Sequence, residues 1–295
     1  MRLPAWLAQH LAALRALLVL TVVFGLAYPL LMVAVARIPG LAGHADGSLV
    51  DKGGKTVGSA LIGQSFTDAD GNPLKQYFQS RPSAAGDGYD PTSTSASNLG
   101  PENVVDTLPD PSVKDDEGKQ GLLTQVCARS KAVGELEGVD GSRPYCTPGG
   151  VGAVLAVYHR DGATGPVTRA VSLNEACPAT PFVTTWQGVT VECAKFGEDY
   201  SGGVVTPVRG NAPDKPVVPA DAVTASGSGL DPQISVAYAH LQAARVAAAR
   251  GMSVPDVGKL IDKYTTGRTL GFIGEPGVNV LQLNLALDAG HPVRG

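Results

Sequence analysis

Apolar residues are distributed very unevenly along this chain. Residues 16–36 form an unbroken run of 21 positions without a charge, bracketed by Arg15 and Arg37. As a helix this run spans roughly 31 Å, which matches a hydrocarbon core of about 30 Å. Its six Leu, five Val and one Phe favour insertion by about 5 kcal/mol, partly offset by Thr21, Gly25, Tyr28 and Pro29. No second stretch of the chain comes close, so the pattern predicts a single membrane span. Ala34-Val35-Ala36 has the form of a signal-peptidase site, but a cleaved signal carries a shorter apolar region of ~7–15 residues. Length therefore favours a retained anchor, and either reading exports the rest of the chain.

Beyond the span the apolar positions become short and periodic. Leu49, Val50, Val57, Leu61 and Ile62 sit among glycines over residues 47–67 and predict short strands and turns. Residues 80–101 are dense in Ser, Pro, Gly, Asn and Asp, which predicts a long surface loop held by side-chain-to-backbone bonds. Loops of that length usually bind something. A helix is expected near 122–133, followed by strands at 153–159, 167–173 and 182–193. Ser235 is placed to cap a helix over 236–250 that Gly251 ends, and Ser253 to cap a second helix reaching Thr265, with Pro255 in its first turn. A glycine-rich loop follows (Gly267, Gly271, Gly274, Gly277). Leu281, Leu283, Leu285 and Leu287 then alternate with Gln282, Asn284, Ala286 and Asp288, the pattern of a half-buried strand, with a bulge expected near Val280 and Leu281.

Composition sharpens this outline. Glycine and proline make up a fifth of the 295 residues and aromatics only 5%, which predicts many turns and few long helices outside the span. A formal net charge of −4 excludes a nucleic-acid binder that relies on phosphate neutralisation. The four cysteines, Cys127, Cys146, Cys177 and Cys193, lie within 67 residues in mid-chain, with no C-x-x-C pair. An even cluster in a membrane-tethered domain points to two extracytoplasmic disulfides, with three connectivities open, against four buried thiols as the alternative.

Little in the chain looks catalytic. Gly54-Lys55-Thr56 lacks the upstream glycine of a phosphate-binding loop, and His44, His159 and His240 have no partners at metal-ligand spacing. There is no G-x-S-x-G elbow and no H-E-x-x-H. Ser226-Gly227-Ser228-Gly229 could hold an anion on its amides, or could simply be a turn leading to the Ser235 helix.

Several longer runs have a familiar order: Tyr28-Pro29-Leu30-Leu31, Gly58-Ser59-Ala60-Leu61-Ile62-Gly63-Gln64-Ser65-Phe66-Thr67, Tyr77-Phe78-Gln79-Ser80-Arg81-Pro82-Ser83-Ala84, Ser97-Asn98-Leu99-Gly100-Pro101, Val223-Thr224-Ala225-Ser226-Gly227-Ser228-Gly229-Leu230-Asp231, and Val278-Asn279-Val280-Leu281-Gln282-Leu283-Asn284-Leu285-Ala286-Leu287-Asp288. Together they resemble the C subunit of the Kdp-type potassium-transporting ATPase over residues 1–100 and 218–295. The departure is the middle, where 101–217 replaces a shorter family connection. The expected architecture is α+β: a cytoplasmic tail (1–15), a transmembrane helix (16–36), an extracytoplasmic mixed domain (37–100 with 218–295), and a β-rich insert (101–217) carrying the cysteines.

The resemblance implies an accessory, non-catalytic subunit, anchored once in the plasma membrane with its N-terminus cytoplasmic. Its implied partners are a channel-like K⁺ subunit, an ATP-hydrolysing pump subunit and a small one-helix subunit. It implies a catalytic chaperone that raises the pump's ATP affinity, with ATP and K⁺ handled by the complex and no cofactor held firmly here. Tyr77, Phe78, Gln79, Arg81, Pro82, Ser83 and Asn98 are the docking candidates, Tyr77, Phe78 and Arg81 being types enriched at interface anchors. Ser226, Gly227, Ser228 and Gly229 are the candidates for direct nucleotide contact, a role that an extracytoplasmic domain could not play toward cytoplasmic ATP. Residues 37–295 carry 21 basic and 27 acidic side chains, an excess that could mildly concentrate K⁺ at a channel mouth. The competing classes are a stand-alone anchored ligand-binding protein and an exported hydrolase.

Overall fold

The computed structural model describes residues 4–85, 90, 92–93, 95 and 97–293. These divide into two compact units, one ending at Leu61 and one beginning at Ile62.

The first unit is dominated by a 32-residue helix, α1 (Ala5–Ala36), whose apolar stretch reaches a mean hydropathy of 2.5 and which buries none of its side chains. Helix therefore begins well before residue 16, and residues 5–15, expected as a tail, are its first turns. A π-turn over Val23–Ala27 ends two residues before Pro29. Proline has no N–H to donate, so the regular i→i−4 ladder must be interrupted there. After a single turn at Ala42–Ala45, β1 (Leu49–Lys52) and β2 (Lys55–Ser59) form an antiparallel hairpin.

The second unit is mixed α and β. Helix α2 (Leu122–Glu137) leads to β3 (Val154–Asp161), β4 (Thr164–Ala176), β5 (Thr185–Trp186), β6 (Val189–Ala194) and β7 (Val204–Pro207). These five strands make one sheet in the order β5-β6-β4-β3-β7, with only β4 and β6 parallel. Alternation along β3 sends Val154 and Ala156 to one face, with Val171 and Leu173, and Leu155 and Val157 to the other, with Ala170 and Val191. The strand expected across 182–193 is instead two strands, split at Gln187 and Gly188, both with positive φ. Positive φ at both turn positions suits a tight hairpin. Cys127 is bonded to Cys146 and Cys177 to Cys193, each bridge contributing about 2–4 kcal/mol by restricting the unfolded chain.

The rest of the unit comprises β8 (Gln233–Ser235), α3 (Val236–Arg250), α4 (Val254–Lys263), β9 (Thr265–Thr266), β10 (Gly277–Asn279) and α5 (Val280–Gly290). Ser235 accepts from the Tyr238 N–H and Ser253 from the Asp256 N–H, the expected caps, and Gly251 ends α3 in the left-handed region. The period-2 reading of 281–287 is overturned: this segment is α5, and β10 runs into it without a bulge. Asn279 caps it by accepting from the Gln282 N–H. Val280, Leu281, Leu283, Asn284 and Leu287 form its buried face, while Leu285 is only half-buried. Those spacings are helical, but polar Asn284 on the inner face hid them.

The main core joins Val246, Ala239 and Ala243 of α3 to Val257 and Ile261 of α4, Leu283 and Leu287 of α5, and Phe78. Val126 and Val133 of α2 pack onto the same core, so the mid-chain segment is fused to it.

Candidate functional site

Tyr77, Phe78, Gln79, Arg81, Pro82 and Ser83 fall on an irregular ribbon, residues 75–84, that lies across α3 and α5. With no strand beside it, the ribbon must find partners for its backbone groups elsewhere. Asn284 acts as a surrogate strand for Phe78, accepting from its N–H at 2.9 Å and donating to its carbonyl at 3.0 Å. Gln242 does the same for Gln79, at 2.7 and 3.1 Å. Arg245 donates to the carbonyls of Lys75 and Tyr77, and Arg250 to that of Gln76.

Arg245 also meets Glu137 at the end of α2, both guanidinium-to-carboxylate distances being 3.0 Å, with the two side chains 6% and 1% exposed. Burial pushes the Glu137 carboxyl up and Arg245 opposes it. This pair joins three parts of the unit: α2, the ribbon and α3. Tyr77 is half-buried, its hydroxyl donating to Asp288 and its ring under the Arg250 guanidinium at 4.9 Å.

Among the docking candidates, Phe78 is 0% exposed and belongs to the core, and the buried Gln79 spends its amide on the Phe66, Leu74 and Tyr77 carbonyls. Neither offers a surface to a partner. Arg81, Pro82 and Ser83 are half-buried, and Asn98 is exposed. Tyr89 and Pro91, in the same expected loop, lie outside the described residues.

The ribbon and the Ser-Gly run, 140 residues apart in the chain, are brought together. The Ser226 N–H donates to the Pro82 carbonyl at 2.7 Å and the Ala84 N–H to the Ser226 carbonyl at 2.9 Å. Arg81 pairs with Asp231 at 2.9 Å and donates to the Thr224 carbonyl. Gly63 sits where a Cβ would meet the Asp231 carbonyl oxygen at 2.4 Å, so no other residue fits there without displacing the backbone. A cleft of about 240 Å³ opens beside this junction, lined by Gln64, Thr67, Ser80, Arg81, Ser83 and Gly229.

The Ser226, Gly229 and Leu230 amides already have acceptors. Ser226 Oγ accepts from the Gly229 N–H and Ser228 Oγ from the Leu230 N–H. A phosphate bound at the Gly229 and Leu230 amides would have to displace these two serines. His159 Nδ1 bonds the Gly165 carbonyl and His44 Nδ1 the Ser48 hydroxyl. Among the described residues no three His, Cys, Asp or Glu side chains converge as a metal site. The sequence pattern gave Gln242, Arg245, Arg250, Asn284 and Glu137 no role at this site. Their signal is polar types at core-facing helical positions.

These features define a class: an α+β module, cross-linked by two disulfides, in a chain that also carries one helix long and apolar enough to cross a membrane. A family model described as the c chain of the K⁺-transporting ATPase matches residues 10–107 and 204–289. A potassium-transporting ATPase KdpC subunit from Kineococcus radiotolerans is 37% identical over 286 residues, covering 97% of this chain and 96% of that relative. The subunit of the same name from Mycobacterium bovis is 35% identical over 280 residues, covering 95% and 97%. That from Beijerinckia indica is 36% identical over 287 residues, covering 97% and 96%. The chain belongs to the KdpC family of potassium-transporting ATPase subunits. The family model omits residues 108–203, whereas alignments of this extent run through that stretch, so these relatives carry counterparts of the disulfide-bonded insert.

Proposed function

We propose that this chain is the accessory subunit of an ATP-driven potassium import complex. It is anchored once in the cell membrane by α1, with its N-terminus cytoplasmic and its folded module outside. The observation that carries the reading is family membership along nearly the whole chain, together with one exposed apolar helix of spanning length. The two disulfides support the extracytoplasmic side, where thiols oxidise and remain oxidised. In this reading the module catalyses nothing. It grips the channel-like subunit and stabilises the assembly with the pump and small subunits, and it raises the pump's ATP affinity.

Because ATP is used on the cytoplasmic side, that effect is a coupling free energy carried through the assembly. The Ser226 and Ser228 hydroxyls, already bonded to the Gly229 and Leu230 amides, favour this over direct nucleotide contact. The test is ATP titration of K⁺-stimulated hydrolysis by the complex purified with and without this chain. A coupling of ~1–3 kcal/mol weakens the apparent ATP affinity by about 5–150-fold when the chain is missing. Equal affinity in the two preparations overturns the chaperone role.

A further inference from the structure

Tyr238 lies in the first turn of α3 and belongs to the main core, being only 3% exposed. Its N–H is spent on the Ser235 cap, but its hydroxyl has no hydrogen-bond partner among the described residues. A buried tyrosine usually finds a partner for its hydroxyl, and a polar group left without one calls for an explanation. The surroundings keep this hydroxyl protonated. Burial pushes its pKa well up, the Glu137 and Asp221 carboxylates add to that, and Arg245 opposes. Tyr238 is therefore a fixed donor with nothing to donate to.

The same residue lines a cleft of about 310 Å³ between α2 and the ribbon, a volume within the range of small-molecule sites. Most of the wall is apolar: Val133 and Leu136 of α2, with Pro73, Pro82 and Ala222. Gln79 also lines it, but its amide is already spent on three carbonyls of its own ribbon and approach. A concave apolar wall with one unused, well-fixed polar group is the usual form of a site for a small molecule.

The charges indicate a neutral occupant. Arg129 and Glu135 stand at the same cleft. Arg129 already donates to the Val223 carbonyl and to Gln125, and Glu135 faces Lys131 at 3.8 Å. The Glu137 and Asp221 carboxylates that act on Tyr238 would repel an anion, and Arg245 is committed to Glu137 at 3.0 Å. A cation brings donors, and Tyr238 needs an acceptor.

We infer that this cleft binds a small, neutral, largely apolar molecule that presents one carbonyl or ether oxygen to the Tyr238 hydroxyl. This goes beyond the accessory-subunit reading and does not depend on it. The test uses the full chain in lipid nanodiscs, with isotope-labelled valine and leucine methyls and acetophenone as the probe. Acetophenone shifts the Val133 and Leu136 methyl signals saturably, while those of Val113, exposed elsewhere, do not move. α-Methylstyrene has the same shape with a methylene in place of the carbonyl oxygen. It binds about two- to tenfold more weakly, the worth of one neutral hydrogen bond.

Tyr238→Phe removes that preference and leaves the melting temperature within a few degrees, because the hydroxyl holds no other group of the chain. Comparing the ratio of the two probes between the two chains cancels their different uptake by lipid. Absence of any saturable shift overturns the site. Equal binding of the two probes, or a preference that survives in Tyr238→Phe, means that water serves the hydroxyl and overturns its role. Tighter binding of benzoate than of acetophenone overturns the neutral class of ligand.

Discussion

Two short irregular segments, 75–79 and 268–275, each carry at least one aromatic residue and at least one charge, and neither resembles a core element in sequence. One is at the centre of the module and the other stands in water. The difference lies in who satisfies the backbone. The amide and carbonyl of Phe78 are served by Asn284, those of Gln79 by Gln242, and neighbouring carbonyls by Arg245 and Arg250. A segment so supplied can enter the core and take Phe78 with it. The second segment supplies its own partners through the Thr269 and Ile273 bonds and the pair between Arg268 and Glu275. It needs no other element to cover its backbone, so its side chains stay in water. Aromatic content alone does not distinguish an exposed segment from a core one; the polar groups on the facing helices do.

The sharpest way to break this comparison is to remove Arg245. Arg245→Ala leaves Glu137 buried without its cation and strips the Lys75 and Tyr77 carbonyls of a donor. Loss of one partner of a buried pair costs about 3–5 kcal/mol, and urea unfolding of the detergent-solubilised chain reads it directly. A loss under about 1 kcal/mol would mean that the ribbon is held by other contacts.

The same chemical change at the two aromatics sharpens the contrast. Phe78→Ala is expected to cost about 3–5 kcal/mol through transfer and cavity terms. Phe272→Ala changes stability by less than about 0.5 kcal/mol, as is usual for an exposed site. Equal losses in parallel unfolding curves would erase the distinction.

The smallest expected effect concerns protons. Asp106 accepts from the Gly121 N–H and the Thr124 hydroxyl, yet burial holds its carboxyl above the usual value of 3.8. With the folded pKa raised, the stability linked to this group is complete below about pH 3.8 and is lost as pH rises through the folded value. Asp106→Asn should therefore flatten the pH dependence of the melting temperature across the mildly acidic range, and an unchanged profile would count against the burial argument.

The legible parts of the sequence were those fixed by local chemistry. Ser235, Gly251 and Ser253 set the ends of α3 and α4 because caps and left-handed glycines act within one turn. The apolar run of α1 was read from composition, although the helix extends eleven residues further toward the N-terminus than the uncharged stretch. What escaped depended on distant partners. Asn284 interrupts the apolar stripe of α5 because it is needed 206 residues away at Phe78. That polar interruption is what made a helix look like an alternating strand. Phe78 looked like an anchor for the same reason, since the side chains that admit it to the core lie on helices far along the chain. The Ser-Gly run reads as an anion site in sequence, but Ser226 and Ser228 occupy the Gly229 and Leu230 amides.

The central claim, an anchored subunit that works by holding its neighbours, is tested most directly by isolating the full chain from K⁺-starved cells in mild detergent and quantifying what accompanies it by mass spectrometry. The account predicts the ATP-hydrolysing and channel-like subunits in fixed proportion to the chain. Recovery of the chain alone, with those subunits purifying intact without it, would contradict the account.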